Sequence, residues 1–140
     1  MGTLKGFFKA KNPKRYIGNP EMIVYRSSWE FRVMMQLDHG TNVVRWASEE
    51  FSIPYYDPTT KRVRRYFPDF YVEYTNGKTF VFEVKPASQT KPSKSKNARR
   101  LLKENITYAR NLAKWNSATT YCEDKGWTFK VITEKQLGLI

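Results

Sequence analysis

The feature that most constrains this chain is the run FYVEYTNGKTFVFEVK, residues 70–85. It alternates apolar and polar side chains with a period of two on both sides of Asn76-Gly77, the pattern of a half-buried β-hairpin. Phe70, Val72 and Tyr74 share one face of the first strand, and Phe80, Phe82 and Val84 share one face of the second. Directly opposed residues point to the same side of a sheet, so these even-numbered sets face one core only if paired numbers add to an even total. A two-residue Asn-Gly turn would pair Thr75 with Lys78 and mix the faces. A loop Thr75-Asn76-Gly77 pairs Tyr74 with Lys78 instead, with glycine in the left-handed position. That register sets Asp69 opposite Glu83 on the other face, with Lys85 one step along. No property of carboxylates was used to choose it.

Other segments follow the same logic. SSWEFRVMMQLDHG predicts a helix, with Ser27 as N-cap, Trp29, Val33 and Leu37 on one stripe, and Gly40 at its end. VVRW (43–46) and FSIPYY (51–56) read as short strands. A turn at residues 57–60 leads into RVRRYFPDFYVEY (62–74), read as continuing into the hairpin. PASQTKPSKSKNARR (86–100) is a polar, lysine-rich link. A helix is predicted over about 98–124, stopped by Gly126, with a last strand at WTFKVIT (127–133). The order helix, strands, helix, strand makes a single mixed α/β (α+β) domain over 1–140: a central mixed β-sheet flanked by helices. Within it, 1–26 is a basic, turn-rich arm and 27–140 the core. The aromatics Phe7, Phe8 and Tyr16 suit a nucleic-acid arm and a docked extended segment about equally.

Charge narrows the partners. The formal net charge is +12, with 16% aromatic residues. A surplus of that size attracts polyanions, nucleic acid before an acidic membrane surface. Cys122 is the only cysteine and His39 the only histidine. That rules out an intramolecular disulfide, a cysteine-based zinc site and a multi-histidine metal site. His39 fits a helix C-terminus, where the dipole favours an imidazole. No apolar run approaches spanning length and no signal peptide is evident, so a reducing cytoplasm is expected.

The Asp69–Glu83–Lys85 constellation suggests chemistry. Magnesium takes oxygen ligands and keeps some of its waters. Asp69, Glu83 and the Val84 backbone carbonyl would supply such ligands, with manganese able to substitute. A metal there can activate water and offset charge on a phosphate, and a nearby lysine can orient that water. Glu30 is a natural fourth member, although Ser-x-x-Glu is also a capping box. Glu83 and Lys85 could equally be a surface ion pair of little energetic weight, and Asp69 after Pro68 an ordinary turn residue. Taken one by one, these bland readings win. The register and the net charge together favour a site.

FPD (67–69), 13 intervening residues and EVK (83–85), with SSWE upstream, resemble the PD-(D/E)XK nuclease superfamily with its restriction-endonuclease-like core. With the long basic helix and a final strand ending Ile132-Thr133-Glu134, the chain is similar to TnsA-type endonucleases. It is more similar still to the head completion nucleases of T-even-like myophages, through KGFFKAKNPKRYIGNP, YRSSWE, RYFPDF, EVKP, AKWNSATTYCEDKGW and ITEKQLG. The resemblance implies Asp69 and Glu83 as metal-binding acids, Lys85 as catalytic lysine and Glu30 as the helical acid. It implies magnesium-dependent DNA endonuclease action, with exonuclease action open alongside, during virion assembly before head and tail join. The expected setting is the host cytoplasm or the virion, with head or neck proteins as partners. Arg26, Arg62, Arg64, Arg65, Lys91, Lys94, Lys96, Arg99 and Arg100 are expected to hold the DNA backbone with little sequence specificity. The rivals are a non-catalytic basic virion or neck protein on a nuclease scaffold, whose mark would be a lost acid or lysine, and a transposase endonuclease.

Overall fold

A computed structural model describes residues 5–137; the first four residues of the predicted arm and Gly138 of the ITEKQLG stretch lie outside them. The elements, in chain order, are β1 (Gly6–Phe7), β2 (Val24–Tyr25), α1 (Ser28–His39), β3 (Val43–Ser48), β4 (Ile53–Asp57), β5 (Arg62–Tyr66), β6 (Phe70–Tyr74), β7 (Thr79–Val84), α2 (Ala98–Lys125) and β8 (Thr128–Ile132). The central sheet has the order β3-β6-β7-β8. Its first two pairings are antiparallel and the last, β7 with β8, is parallel. Parallel neighbours need a crossover, and α2 supplies it.

The hairpin has the even-sum register. Phe70 pairs with Phe82 and Val72 with Phe80. The Tyr74 N–H donates to the Lys78 carbonyl, and Gly77 takes φ +83°. The even-numbered residues pack with Val33, Met34 and Leu37 of α1 around Trp46. On the other face, Phe129 and Val131 of β8 meet Trp115 and Ala118 of α2, together with Ile53, Tyr55 and Tyr66. The sheet is thus covered on both sides, which explains why Val81, on the face opposite α1, is fully buried.

Residues 62–74 form two strands in two different sheets. β5 pairs with β4 in a separate two-stranded sheet, and β6 belongs to the central sheet. Pro68 lies between them without an amide N–H, so it cannot donate to a ladder. The chain therefore changes sheet at Phe67-Pro68-Asp69. β3 runs two residues longer than expected because it pairs with β6 as far as Ser48 opposite Phe70.

Residues 5–26 wrap the edge of this body. Phe8, Tyr16 and Ile23 are buried in the same core as Trp46. Tyr16 bridges Trp46 in parallel fashion and the Ile17 N–H donates to the Trp46 carbonyl, covering part of the open edge of β3. The buried Asp38 carboxylate accepts from the Lys11 and Asn12 N–H groups, and Arg15 donates to the Asp38 and Gly40 carbonyls. His39 ends α1, as expected, beside Asp38.

Candidate active site

Asp69 enters the site from the sheet change. Its Oδ2 accepts the Val84 N–H at 2.8 Å, so the last residue of β7 fixes the residue before β6. Glu83 is the next residue back along β7 and is 5% exposed beneath α2. Its Oε2 lies 3.9 Å from Lys85 Nζ, and its Oε1 is buried without a hydrogen-bond partner. The Lys85 N–H donates to the Ile132 carbonyl, which anchors the strand end against β8. Val84, whose carbonyl is the expected third metal ligand, uses its N–H to hold Asp69.

Glu30 reaches the same neighbourhood from the first turn of α1. Ser27 caps the helix by accepting the Glu30 N–H at 3.1 Å. The return half of a capping box would take Glu30 to the Ser27 N–H. Instead, Glu30 Oε1 accepts from the Arg26 N–H at 3.2 Å, one residue further out.

These acids disfavour their own ionisation. Burial pushes Asp69 well above the usual carboxylate range and the charge of Glu83 pushes it further, against the pull of the Val84 N–H. Burial also raises Glu83, opposed chiefly by the Lys85 charge. Glu30 is raised by burial and by nearby Glu49 and Glu83. Carboxylates crowded out of water in this way gain from a cation among them.

A divalent metal fits these donors. The groups are hard oxygen ligands, one Glu83 oxygen is buried with no partner, and Asp69 is held by one oxygen with the other left over. Among the described residues, no three His, Cys, Asp or Glu side chains form a ready-made metal cluster. A site of two carboxylates suits an ion that retains several waters.

Residues outside the predicted set also converge here. Glu49, just past β3, holds a left-handed φ of +53°. Its N–H donates to the Asp69 carbonyl, and its carboxylate pairs with Arg26. Tyr66 ends β5 with its hydroxyl buried beside Glu83, and burial and the Glu83 charge push its pKa up. Lys114 of α2 sits over the Tyr66 ring at 5.8 Å, and burial pushes its pKa down. Nothing local in Ser48-Glu49-Glu50 signals a strained backbone. Lys114 did leave a signal, because it interrupts the apolar stripe of a long helix.

The expected DNA-holding residues are all exposed. Arg62 and Arg64 alternate with Arg65 along β5. Arg64 and Arg110 lie at 3.5 and 3.0 Å from the buried Asp57 carboxylate. Although burial pushes Asp57 up, hydrogen bonds from Thr59 and the Arg110 charge hold it at about 2. Arg65 donates to Ser52 and Arg100 to Glu104. Lys91 and Arg100 line a cleft of about 540 Å³ between the 86–97 link and α2, whereas Lys94, Lys96 and Arg99 are not part of its wall.

Residues 40–134 match the family described as TnsA-like endonuclease N terminal. The chain is also 33% identical, over 138 residues, to the head completion nuclease of Enterobacteria phage T4. That alignment covers 94% of this chain and 92% of that protein.

Proposed function

The chain belongs to the TnsA-like endonuclease family, and from that premise we propose how its residues carry out a magnesium-dependent cleavage of DNA. The nuclease role in phage head completion follows from the family and the relative. The substrate, the metal and the residue roles are the proposal. The observation that carries it is a pair of crowded carboxylates, Asp69 and Glu83, beside Lys85, with one Glu83 oxygen buried and unsatisfied.

Asp69 and Glu83 would hold the metal, which would supply a Lewis acid for the phosphate and a more acidic bound water. The Val84 N–H keeps Asp69 Oδ2 in place, so its free oxygen has one direction. Glu83 keeps the Lys85 ammonium within 3.9 Å. Lys85 Nζ can then donate to a phosphate oxygen or to the attacking water as negative charge builds. Glu30 would accept a hydrogen bond from that water through the oxygen not engaged by Arg26.

The basic segments adjoin these residues in the chain. Arg62, Arg64 and Arg65 precede Asp69, and the link bearing Lys91, Lys94 and Lys96 follows Lys85. Phosphate contacts from them fix position without reading bases, so little sequence specificity is proposed. One domain over 1–140, acting in the host cytoplasm during assembly or in the virion, with head or neck proteins as partners, completes the reading. Among the described residues no helix is long and apolar enough to cross a membrane.

The test is cleavage of linear and supercoiled DNA with magnesium, with manganese and with EDTA. Wild type should cut with either metal and stop with EDTA. Asp69→Ala, Glu83→Ala and Lys85→Ala should lose cutting while still binding DNA. A wild type that binds DNA but never cuts would replace this reading with a basic DNA-packing protein on a nuclease scaffold.

A further inference from the structure

Lysines elsewhere on α2, such as Lys103 and Lys125, are exposed. Lys114 is not. It lies three residues after Asn111 and four before Ala118, both buried, on the helix stripe that faces the sheet. Its ammonium stands 5.8 Å from the Tyr66 ring centre, within electrostatic reach of Glu83 and Lys85. Withdrawing an ammonium from water is costly unless an anion compensates. Among the described residues Lys114 makes no ion pair: Glu83 takes Lys85, and Asp57 takes Arg64 and Arg110. Burial disfavours its charge, the nearby Glu83 favours it, and Lys85, Arg110 and Arg64 oppose it.

Four cations, Lys85, Lys114, Arg64 and Arg110, thus gather near Glu83 and Asp57, and among the described residues Lys114 is the one that neither acid pairs. The Tyr66 hydroxyl, a hydrogen-bond donor, is buried there as well. The cleft lined by Lys91, Arg100, Lys103, Thr107 and Asn111 runs along the same helix and stops one turn short of Lys114. A strand lying in that cleft would bring its next phosphates to Lys114.

We propose that Lys114 is a second lysine of the active site, which holds a phosphate of the substrate strand beside the Asp69–Glu83 pair. The inference rests on the nuclease reading above. It assigns the cleft along α2 as the track by which that strand leaves the site. The competing role for Lys114 is structural, as a counter-charge for Glu83, and the two differ in sign. A counter-charge stabilises the free protein. A cation kept for an absent phosphate costs stability.

The experiment compares wild type, Lys114→Gln and Lys114→Arg. It measures Tm without metal, kcat/KM with magnesium, and the slope of log affinity for duplex DNA against log salt in EDTA. Lys114→Gln is expected to keep or raise Tm, to lose roughly tenfold or more in kcat/KM, and to flatten the salt slope by about 0.9. Lys114→Arg should restore most of the slope. The proposal is overturned if Lys114→Gln binds and cuts like wild type. An unchanged slope with activity falling in step with Tm overturns it too. If wild type does not cut at all, the nuclease reading fails, and the salt slope still decides whether Lys114 meets a phosphate.

Discussion

Asp69 and Glu83 show how far a residue's surroundings can oppose its charge. Both are raised by burial, so the unfolded chain releases these protons at lower pH than the folded one. Stability from this pair is greatest below the ordinary carboxylate range and declines as pH rises through the raised values. Asp57 has the opposite sign: held at about 2, it contributes above the ordinary range, and that contribution is lost as pH falls towards about 2. Metal-free protein should therefore gain stability when Asp69→Asn or Glu83→Gln removes the buried charge. A Tm rise of a few degrees at pH 7 is expected, since about 1 kcal/mol shifts Tm by ~4 °C in a domain of this size. The gain should shrink near pH 4, and the same variants should lose the extra Tm that millimolar magnesium gives wild type. Thermal melts over a pH series would show it, and equal Tm for variant and wild type at every pH would contradict it.

At the level of elements, the start of α1 separates the Ser27 cap from the Glu30 carboxylate, the proposed fourth acid of the site. Ser27 accepts the Glu30 N–H, and the Glu30 side chain accepts from Arg26. Ser27→Ala should cost about 1 kcal/mol in chemical denaturation, with cleavage largely kept. Glu30→Gln retains an acceptor for the Arg26 N–H and removes a charge that burial disfavours, so its denaturation midpoint should equal or exceed wild type while cleavage falls. Full cleavage by Glu30→Gln would leave Glu30 as a cap alone. The hairpin offers a second check. A Cβ on Gly77 meets nothing within 4 Å, yet φ is +83°. Gly77→Ala should then destabilise by about 1 kcal/mol through backbone strain alone, and Gly77→Asn by less, as read from urea midpoints.

Over the whole molecule, the net charge governs the proposed hold on DNA. The surplus of +12 is carried by segments on either side of the acidic pair in the chain, before Asp69 and after Lys85. Binding that neutralises about five phosphates should weaken by roughly 500-fold for a fourfold rise in salt. Affinity measured from 50 to 200 mM salt would check this, and a flat response would mean that the basic segments do not carry the binding. The N-terminal segment contributes differently from a free arm. Phe8, Tyr16 and Ile23 are core residues, and Arg15 is occupied by backbone carbonyls, which leaves Lys9, Lys11 and Lys14 on the outside.

The hairpin register, the pairing of Asp69 with the end of β7, both helices and the Ser27 cap could be read from the sequence. Each depends on spacing within one or two adjacent elements: period two in a strand, 3.6 in a helix, and glycine where φ is positive. The change of sheet at Pro68 had its signal in proline's missing N–H, but only the partners of β5 and β6 show that two sheets result. Glu49, Tyr66 and Lys114 lay beyond that reach. Their meaning comes from elements distant in the chain, packed over one strand end, and from which polar atoms that packing leaves unsatisfied. Local pattern sets what each segment becomes. Only the assembled layers decide which charges lose their water, and that loss is what sets this carboxylate pair and lysine apart from a surface ion pair.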